Sequence, residues 1–224
     1  MQALILAAGR GVRMGSLTED TPKPMLKVLG KNLIEHKLEI LPASIQEVVI
    51  VVGYKDHVIR DYFGEKWRHL PIKYVYQKEL LGTGHGVHMA KDAIAGNFMV
   101  LMGDDMYHRE FLDNLSKEKW AISARRIEKP KLGAKIVTDR KGTLTDIQEA
   151  QNLVPGEWEN IGAYVLGKEF FDAPLVPKAV DSAEYGLPQT LLHLVSKYPI
   201  KIVEAENWTQ ITSPEDLQIA ATVF

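Results

Sequence analysis

The sequence predicts an α/β fold with a doubly wound, mostly parallel (mixed) Rossmann-like sheet. Two observations support this prediction. In the first half of the chain, apolar strand patterns alternate with helical patterns, at a spacing that suits parallel strands joined by crossover helices. In addition, the run Glu47–Val52 is β-branched after its first residue and is followed by glycine, which is typical of a strand buried on both faces.

The elements of the first half follow from the period of their apolar residues. Residues 32–41 place Leu33, Ile34, Lys37, Leu38 and Leu41 on one helical face, so a helix is predicted there. The same reasoning predicts strands at 3–7, 47–52, 72–76 and 98–102, and further helices at 56–63 and 84–94.

The second half contains more closely spaced strand patterns. Strands are predicted at 121–125, 134–138, 143–148, 161–166 and 200–204, and helices at 187–198 and 213–223. Asp139 to Gly142 predicts a hairpin turn. Ser213 to Asp216 predicts a capping box with proline at the first helical position. We find no linker or repeat, so one domain over 1–224 is expected.

The bulk composition excludes several classes of function. The 27 basic and 29 acidic residues give a net charge of −2, which provides no electrostatic basis for binding nucleic acid or a membrane surface. There are no cysteines, so disulfides and thiolate metal sites are excluded. No leader or membrane-spanning run is recognisable, so a cytoplasmic location is expected. The oligomeric state is left open.

The most informative segment is the glycine-rich turn after the first strand. The strand residues Leu6, Ala7 and Ala8 lead into Gly9 and Gly11, whose bare backbone amides allow a phosphate chain to approach.

Cations stand on and after this turn, at Arg10, Arg13 and Lys23, so a nucleoside triphosphate site is predicted. Neither a Walker loop nor a dinucleotide-binding loop fits, because Met14 stands where each requires glycine.

The run L-I-L-A-A-G-R-G-V-R-M followed by T-P-K-P-M-L resembles the signature of sugar-1-phosphate nucleotidylyltransferases. The resemblance implies a fold of the nucleotide-diphospho-sugar transferase type, with a nucleotide-binding half at 1–120 and a sugar-binding half at 121–224. It also implies that Arg13 and Lys23 are catalytic. The residues that it assigns to nucleotide binding here are Leu6, Ala7, Ala8, Gly9 and Gly11.

A second segment, L-G-T-G-H after Gln77, is similar to the base-binding element of the hexosamine uridylyltransferases. The resemblance implies that Gln77, Gly82 and Thr83 bind the nucleotide. An amide can donate and accept at once, which matches the N–H and carbonyl of a pyrimidine edge. The resemblance to the uridylyl branch makes UTP the favoured donor and dTTP the next. His85 and His88 are interpreted as structural, because no further ligands complete a metal set.

Gly103-Asp104-Asp105 ends an apolar strand, the position where ligands bind in open α/β sheets. The resemblance implies that Asp104 is catalytic and holds Mg²⁺, a cation that suits carboxylate and phosphate oxygens. Asp105 either supports Asp104 or begins the next turn. Gln210 stands where the family carries Asp or Asn, and it is predicted as a second metal ligand through its carbonyl.

The sugar side is less well marked. Glu149 is expected at a strand end, and the resemblance implies that it, Asn160 and Gly162 bind the sugar. The family's following lysine, a sugar-phosphate contact, is replaced by Ala150. The cations that could take its place are Arg125, Arg126 and Lys135, and the sequence does not choose among them.

The expected partners are therefore an NTP and a sugar 1-phosphate. A sugar phosphate is mostly a dianion at neutral pH, so its oxygen can attack the α-phosphorus without a general base. Two alternatives stay open: a cytidylyltransferase for another phosphorylated acceptor such as phosphocholine, and a non-catalytic nucleotide-sugar sensor. The departures at Ala150 and Gln210 are the only support for the sensor.

Overall fold

A computed structural model describes residues 1–224. The strands are β1 Gln2–Leu6, β2 Lys27–Val28, β3 Lys31–Asn32, β4 Glu47–Val52, β5 Lys66–Trp67, β6 Leu70–Tyr76, β7 Phe98–Met102, β8 Asp105–Tyr107, β9 Ala121–Arg126, β10 Lys131–Thr138, β11 Leu144–Leu153, β12 Trp158–Leu166, β13 Lys201–Glu204 and β14 Trp208–Gln210. The α-helices are α1 Leu33–Ile40, α2 Asp56–Phe63, α3 Gly82–Met89, α4 Arg109–Leu115, α5 Leu187–Leu192 and α6 Pro214–Val223. Short 3₁₀ helices cover Val12–Thr18, Lys23–Met25, Lys91–Ala93 and Lys168–Asp172.

Four parallel strands in the order β7-β1-β4-β6 form the centre of the main sheet. Alternate residues of these strands enter different hydrophobic clusters. Ile5 and Ile50 pack on one face of the sheet, and Leu4 and Val49 pack on the other. Because side chains alternate along a strand, helices must cover both faces, and this explains why these runs are apolar throughout.

The second half extends the same sheet with antiparallel strands. β12 pairs with β9 near both of its ends. On its other edge it pairs with β10 near its start and with β7 near its carboxyl end, so one sheet crosses both halves of the chain. The predicted mixed, doubly wound α/β class is therefore confirmed. None of the helices is both long and apolar enough to span a membrane.

Most predicted elements are present with shifted ends. The strand over 98–102 and the helix over 56–63 match the structure at both ends. The helix predicted at 187–198 is wrong in length, because after Leu192 the turns close with i→i−3 bonds such as that from Leu194 N to Leu191 O. The helix predicted at 84–94 begins earlier, at Gly82, and ends at Met89.

A third, smaller cluster joins the beginning and the end of the chain. Met14, directly after the glycine-rich turn, packs with Ile211 and with Ala220 of α6. The predicted cap of α6 is present: Asp216 accepts hydrogen bonds from the backbone amides of Thr212 and Ser213, each at 2.7 Å. The closing helix therefore supports the segment that follows the turn.

Candidate active site

A cavity of about 430 Å³ lies at the carboxyl ends of β1 and β7. Its wall brings together all the predicted catalytic and nucleotide-binding residues, from four separate parts of the chain. The predicted residues that line it are Leu6, Ala7, Ala8, Gly9, Gly11, Arg13, Lys23, Gln77, Gly82, Thr83 and Asp104. Arg10 also lines it, with its guanidinium 5.4 Å from the centre of the Tyr54 ring.

The glycine-rich turn owes its shape to Gly11. This residue has a φ of +66°, and a Cβ there would lie 2.7 Å from Cβ of Lys23. Its carbonyl oxygen accepts from the Met14 amide at 2.9 Å and from the Thr18 hydroxyl at 3.1 Å. A side chain at this position would therefore both strain the turn and displace Lys23.

Lys23 and Asp104 form the central ion pair of the cavity. Lys23 Nζ lies 2.6 Å from Asp104 Oδ2, and the Lys23 side chain is almost fully buried. The two residues come from opposite sides of the cavity, one after the glycine-rich turn and the other after β7. Two of the predicted catalytic groups therefore lie within one hydrogen bond of each other.

A buried lysine, Lys37, lies behind this pair. The sequence predicts it only as part of an apolar helical face. Lys37 of α1 donates hydrogen bonds to the carbonyl oxygens of Leu33 and Gly103, each at 3.0 Å. Burial lowers the pKa of Lys37 to about 8, against the opposing effect of the nearby carboxylates of Asp105 and Asp104. Lys37 thus fixes the backbone directly before Asp104.

Asp105 is buried, and its side chain contacts other parts of the protein. Its Oδ2 accepts from Trp208 Nε1 at 3.1 Å and from the Tyr107 hydroxyl at 3.4 Å, which ties β14 to β8. Burial, together with the charge of Asp104, raises the pKa of Asp105 well above its ordinary value, and the charge of Lys37 opposes this. These contacts hold the start of β8, directly after Asp104.

Gln77 is held tightly on the cavity wall, where it is 5% exposed. Its Nε2 lies 3.2 Å from the carbonyl oxygen of Gly82 and 3.0 Å from Nδ1 of His85. Both N–H groups are therefore engaged within the protein. The expectation that this amide both donates to and accepts from a base is wrong for this arrangement, which leaves only the carbonyl oxygen.

Residues 176–186, here called the bridging loop, form backbone hydrogen bonds with the segment around Gly82–Gly84. The amide of Tyr185 donates to Leu81 O at 2.8 Å, and its carbonyl accepts from the amide of Gly84 at 2.9 Å. Directly after the loop, the amide of Leu187 donates to Thr83 Oγ1 at 3.1 Å. The wall formed by Gly82 and Thr83 therefore depends on a segment about a hundred residues away, which no local sequence signal indicates.

A second cavity of about 220 Å³ adjoins the first and shares Thr83 and Met102 with it. The predicted sugar and second metal residues line this second cavity, namely Glu149, Asn160, Gly162 and Gln210. Gln189 of α5 also lines it and was not predicted.

Glu149 does not end its strand, contrary to the expectation. It lies inside β11, where Glu149 and Ala150 stand together opposite Ala134, and Ala150 has a φ of +52°. This is a β-bulge, which changes the direction of side chains along a strand. Glu149 Oε1 accepts from Gln189 Nε2 at 3.2 Å, so the bulge places the carboxylate on the cavity wall.

Asn160 and Gly162 shape the wall as well as lining it. Asn160 Oδ1 accepts from the amide of Gly162 at 3.0 Å, and Gly162 has a φ of +82°. The pairing of β12 with β9 shifts register between Asn160 and Tyr164. Asn160 Nδ2 also lies 3.0 Å from the Tyr164 hydroxyl. Asn160 therefore stabilises this irregular stretch with the same side chain that borders the cavity.

None of the three cations considered for the sugar phosphate lines either cavity. Arg125 is bonded to Glu159 at 2.7 Å, and Lys135 is paired with Glu157. Arg126 stacks on Trp158, with its guanidinium carbon 3.6 Å from the ring centre. The cation that does line the second cavity is Lys178 of the bridging loop, whose Nζ is 3.9 Å from a Glu184 carboxylate oxygen.

The donor set can be compared with the needs of Mg²⁺. No group of three or more His, Cys, Asp or Glu side chains is arranged to hold a metal by itself. Asp104 is partly exposed beside the bare-amide turn, which fits an ion that takes one carboxylate together with phosphate oxygens. Gln210 lies in the adjoining cavity, next to Ile211, whose amide donates to Asp104 O at 3.2 Å.

A protein-family model described as nucleotidyl transferase matches residues 2–201. The chain belongs to the nucleotidyl transferase family. This membership confirms the resemblance to the sugar-1-phosphate nucleotidylyltransferases.

Curated relatives cover almost the whole chain. The bifunctional protein GlmU of Methanocaldococcus jannaschii is 30% identical over 97% of this chain, and the match takes in 52% of that relative. The chain thus spans about half the length of this and similar GlmU relatives. A UTP–glucose-1-phosphate uridylyltransferase, AglF, of Haloferax volcanii is 29% identical over 96% of this chain and 93% of its own length.

Solved structures agree on the fold. A UDP-glucose pyrophosphorylase complexed with UDP-glucose aligns with a TM-score of 0.82 at 20% identity, covering 99% of this chain and 97% of the other. A putative glucose-1-phosphate thymidylyltransferase from Bacillus anthracis aligns with a TM-score of 0.84 at 20% identity, covering 99% and 94%. At this identity the likeness shows the fold alone.

Proposed function

We propose that this chain transfers a nucleotidyl group from an NTP to a sugar 1-phosphate, with release of pyrophosphate, and that UTP is the favoured donor and dTTP the next. The observation that carries the proposal is the pair of adjoining cavities. One joins a bare-amide turn to the Lys23–Asp104 pair, and the other is lined by the side chains Glu149, Asn160 and Gln189.

In the proposed reaction, an oxygen of the sugar phosphate attacks the α-phosphorus of the NTP. The new P–O bond forms as the bond to the departing pyrophosphate breaks. The attacking oxygen carries charge already, which agrees with cavities that contain no Ser-His-Asp arrangement. The protein's task is then to position two phosphates and neutralise their charge.

The roles follow from where the cations lie. The glycine-rich turn binds the phosphate chain, and Arg13 on that turn neutralises the departing pyrophosphate. Lys23, between the turn and β7, binds the α-phosphate and the incoming phosphate. Asp104 and, more weakly, Gln210 are the residues that would hold Mg²⁺, which supplies positive charge to the phosphates when bound.

No particular feature of the structure supports the two alternatives, a cytidylyltransferase for another phosphorylated acceptor and a non-catalytic nucleotide-sugar sensor. The L-G-T-G-H segment is kept and packed against the bridging loop, and AglF is by its name an enzyme for a sugar 1-phosphate. The three candidate functions can be distinguished by measuring pyrophosphate release from a panel of NTPs, with sugar phosphates or phosphocholine as acceptor. Each combination is tested in the presence and absence of Mg²⁺. Release with phosphocholine alone would favour the second reading, and no release with any acceptor would favour the sensor.

The replacement of Lys23 by Ala tests the proposed mechanism. We expect turnover to fall by about 10²–10³-fold, because one preorganised electrostatic contact is lost. Initial rates of pyrophosphate release measure this. Lys27→Ala, an exposed lysine outside both cavities, is the matched control and should keep the wild-type rate. A Lys23→Ala enzyme with near-normal turnover would contradict the role.

A further inference from the structure

We propose that His85 sets the base preference by holding the amide of Gln77 in one orientation, so that only an acceptor faces the base. This inference rests on the proposed function, since it concerns the base of the same nucleotide. His85 is a positioning residue in this reading: it acts through Gln77 and touches neither the base nor the phosphates.

The orientation of the Gln77 amide follows from its neighbours. The carbonyl oxygen of Gly82 can only accept a hydrogen bond, so the amide group 3.2 Å from it must be the nitrogen end. The same nitrogen lies 3.0 Å from His85 Nδ1. Since Nε2 of Gln77 donates, Nδ1 of His85 must accept, and the imidazole proton then resides on its other nitrogen.

The other end of the amide is open toward the cavity. No donor of the protein hydrogen-bonds to Gln77 Oε1, and this oxygen is not among the sealed, unpartnered buried atoms. Gly86 keeps the space beside it free, because a Cβ there would lie 3.1 Å from Oε1. Gln77, Gly82 and Gly86 all line the cavity. A base that enters therefore meets a carbonyl oxygen.

An acceptor at this point distinguishes two classes of base. Uracil and thymine carry a hydrogen on N3 of the Watson–Crick edge and can donate it to Oε1. Cytosine N3 and adenine N1 carry lone pairs that face the same oxygen without a hydrogen bond. Buried polar groups left unpaired in this way are a strong source of discrimination.

His85 matters because a free Gln77 amide could turn. Without the Nδ1 acceptor, one N–H loses its partner, and rotation of the amide would offer that N–H to cytosine N3. Gly82 alone would then oppose the rotation. Loss of His85 should therefore reduce the preference for UTP over CTP more than it reduces binding in general.

The test compares His85→Leu with His85→Asn, since an asparagine Oδ1 can replace the imidazole acceptor. Calorimetric titration with UTP and CTP, without acceptor sugar, gives the ratio of the two dissociation constants. We expect the wild type to prefer UTP, His85→Leu to reduce the ratio by about tenfold, and His85→Asn to stay within about threefold of wild type, as one net hydrogen bond implies. General damage to the site would weaken both nucleotides and leave the ratio unchanged.

The outcomes separate this inference from the proposed function. Wild-type protein that binds CTP as tightly as UTP, or a folded His85→Leu protein with an unchanged ratio, overturns the inference even if pyrophosphate is released. The wild-type ratio requires no variant, so poor folding of His85→Leu does not prevent a result. Conversely, a clear preference for UTP that falls in His85→Leu, with no pyrophosphate release from any sugar 1-phosphate, supports the inference and overturns the proposed function.

Discussion

At the scale of single residues, the ion pair of Lys23 with Asp104 has a consequence for ligand binding. Each residue has a proposed role toward phosphate or Mg²⁺, and each neutralises the other at 2.6 Å. In the proposed reaction, a nucleotide with its cation would replace these mutual contacts with contacts to the ligand. The pair therefore keeps both groups in place beforehand, at little cost in unpaired buried charge.

Lys178 gives a prediction for the sugar side. It is the cation on the wall of the second cavity, so we expect Lys178→Ala to raise KM for the sugar 1-phosphate by about tenfold, the loss of one charge-assisted contact. KM for the NTP should change little. Steady-state kinetics with each substrate varied in turn measure the split. Lys168→Ala, an exposed lysine outside both cavities, is the control, and an equal rise in both KM values would argue against the assignment.

Lys37 and Asp105 give a prediction about stability. Lys37→Met removes a buried group that donates to the carbonyl oxygens of Leu33 and Gly103 and attracts Asp105, and it should lower the free energy of unfolding by about 3 kcal/mol. The double variant with Asp105→Asn should lose less than the sum of the two single variants by about 1 kcal/mol or more. Urea denaturation measures all three. Strict additivity would show that the two groups do not interact.

Lys37 also shows what could be seen at this scale from the sequence. It stands in the apolar stripe of α1 with Leu33, Ile34 and Leu38, and a lysine in such a stripe indicates a buried charge with a partner. The partner could not be named, because Gly103 and Asp105 lie more than sixty residues away. Similarly, the glycine-rich turn was recognisable from the sequence. The hydrogen bond between Gln77 and His85 was not, because it depends on the side-chain rotamers of both residues.

At the scale of elements, the segment that begins α3 is the most constrained. Gly82 has a φ of +88°, and a Cβ there would lie 2.5 Å from the carbonyl oxygen of Tyr185. We expect Gly82→Ala to lower the free energy of unfolding by about 2 kcal/mol and to weaken nucleotide binding, because left-handed strain adds to the clash. Thermal denaturation and nucleotide titration measure the two effects. Gly96→Ala, where a Cβ meets nothing within 4 Å, is the control, and equal effects would contradict the explanation.

The elements that the sequence predicts well are those buried on both faces. β4 and β7 match their predicted ends, because continuous apolar runs leave little freedom in register or length. The short strands β8 and β14 and the helix α4 were not predicted. Each of these three-residue strands forms only because it pairs with the other. Gln210 pairs with Asp105 and Trp208 with Tyr107, although the two segments are about a hundred residues apart. A pattern confined to three residues carries no such information.

At the scale of the whole molecule, unfolding should depend on pH through His88. Burial, with smaller effects from Lys91 and His85, lowers the pKa of His88 below its ordinary value of 6.5. The folded state then binds fewer protons than the unfolded one, so stability rises with pH in this region and is lost as pH falls below about 6.5.

The replacement of His88 by Leu tests this dependence. The ring packs against Phe170 and Phe171, and its Nε2 is buried without a partner, so an apolar side chain suits the site. We expect the variant to lose less stability than wild type between pH 7 and pH 5.5, measured by urea denaturation at each pH. His57→Leu, at an exposed position of α2, is the control. Parallel curves for wild type and His88→Leu would refute the prediction.

The α/β fold class could be predicted because the strands in both halves of the sheet show recognisable local patterns of apolar residues. The placement of the second cavity could not be predicted, since it depends on the bulge at Glu149, the irregular stretch at Asn160 and the bridging loop. Each of these is set by pairing between distant segments. The family resemblance named several of the residues, and the structure gives the reason they meet.

The hydrogen bonds between the bridging loop and the Gly82–Gly84 segment connect the walls of the two cavities. If a sugar phosphate binds Lys178 as proposed, the hydrogen bonds of Tyr185 connect that contact to the segment that borders the first cavity. Any gain in affinity that the first ligand confers on the second must be returned by the same factor in the opposite direction. Under the proposed function, one peptide segment would thus couple ligand binding in one cavity to ligand binding in the other.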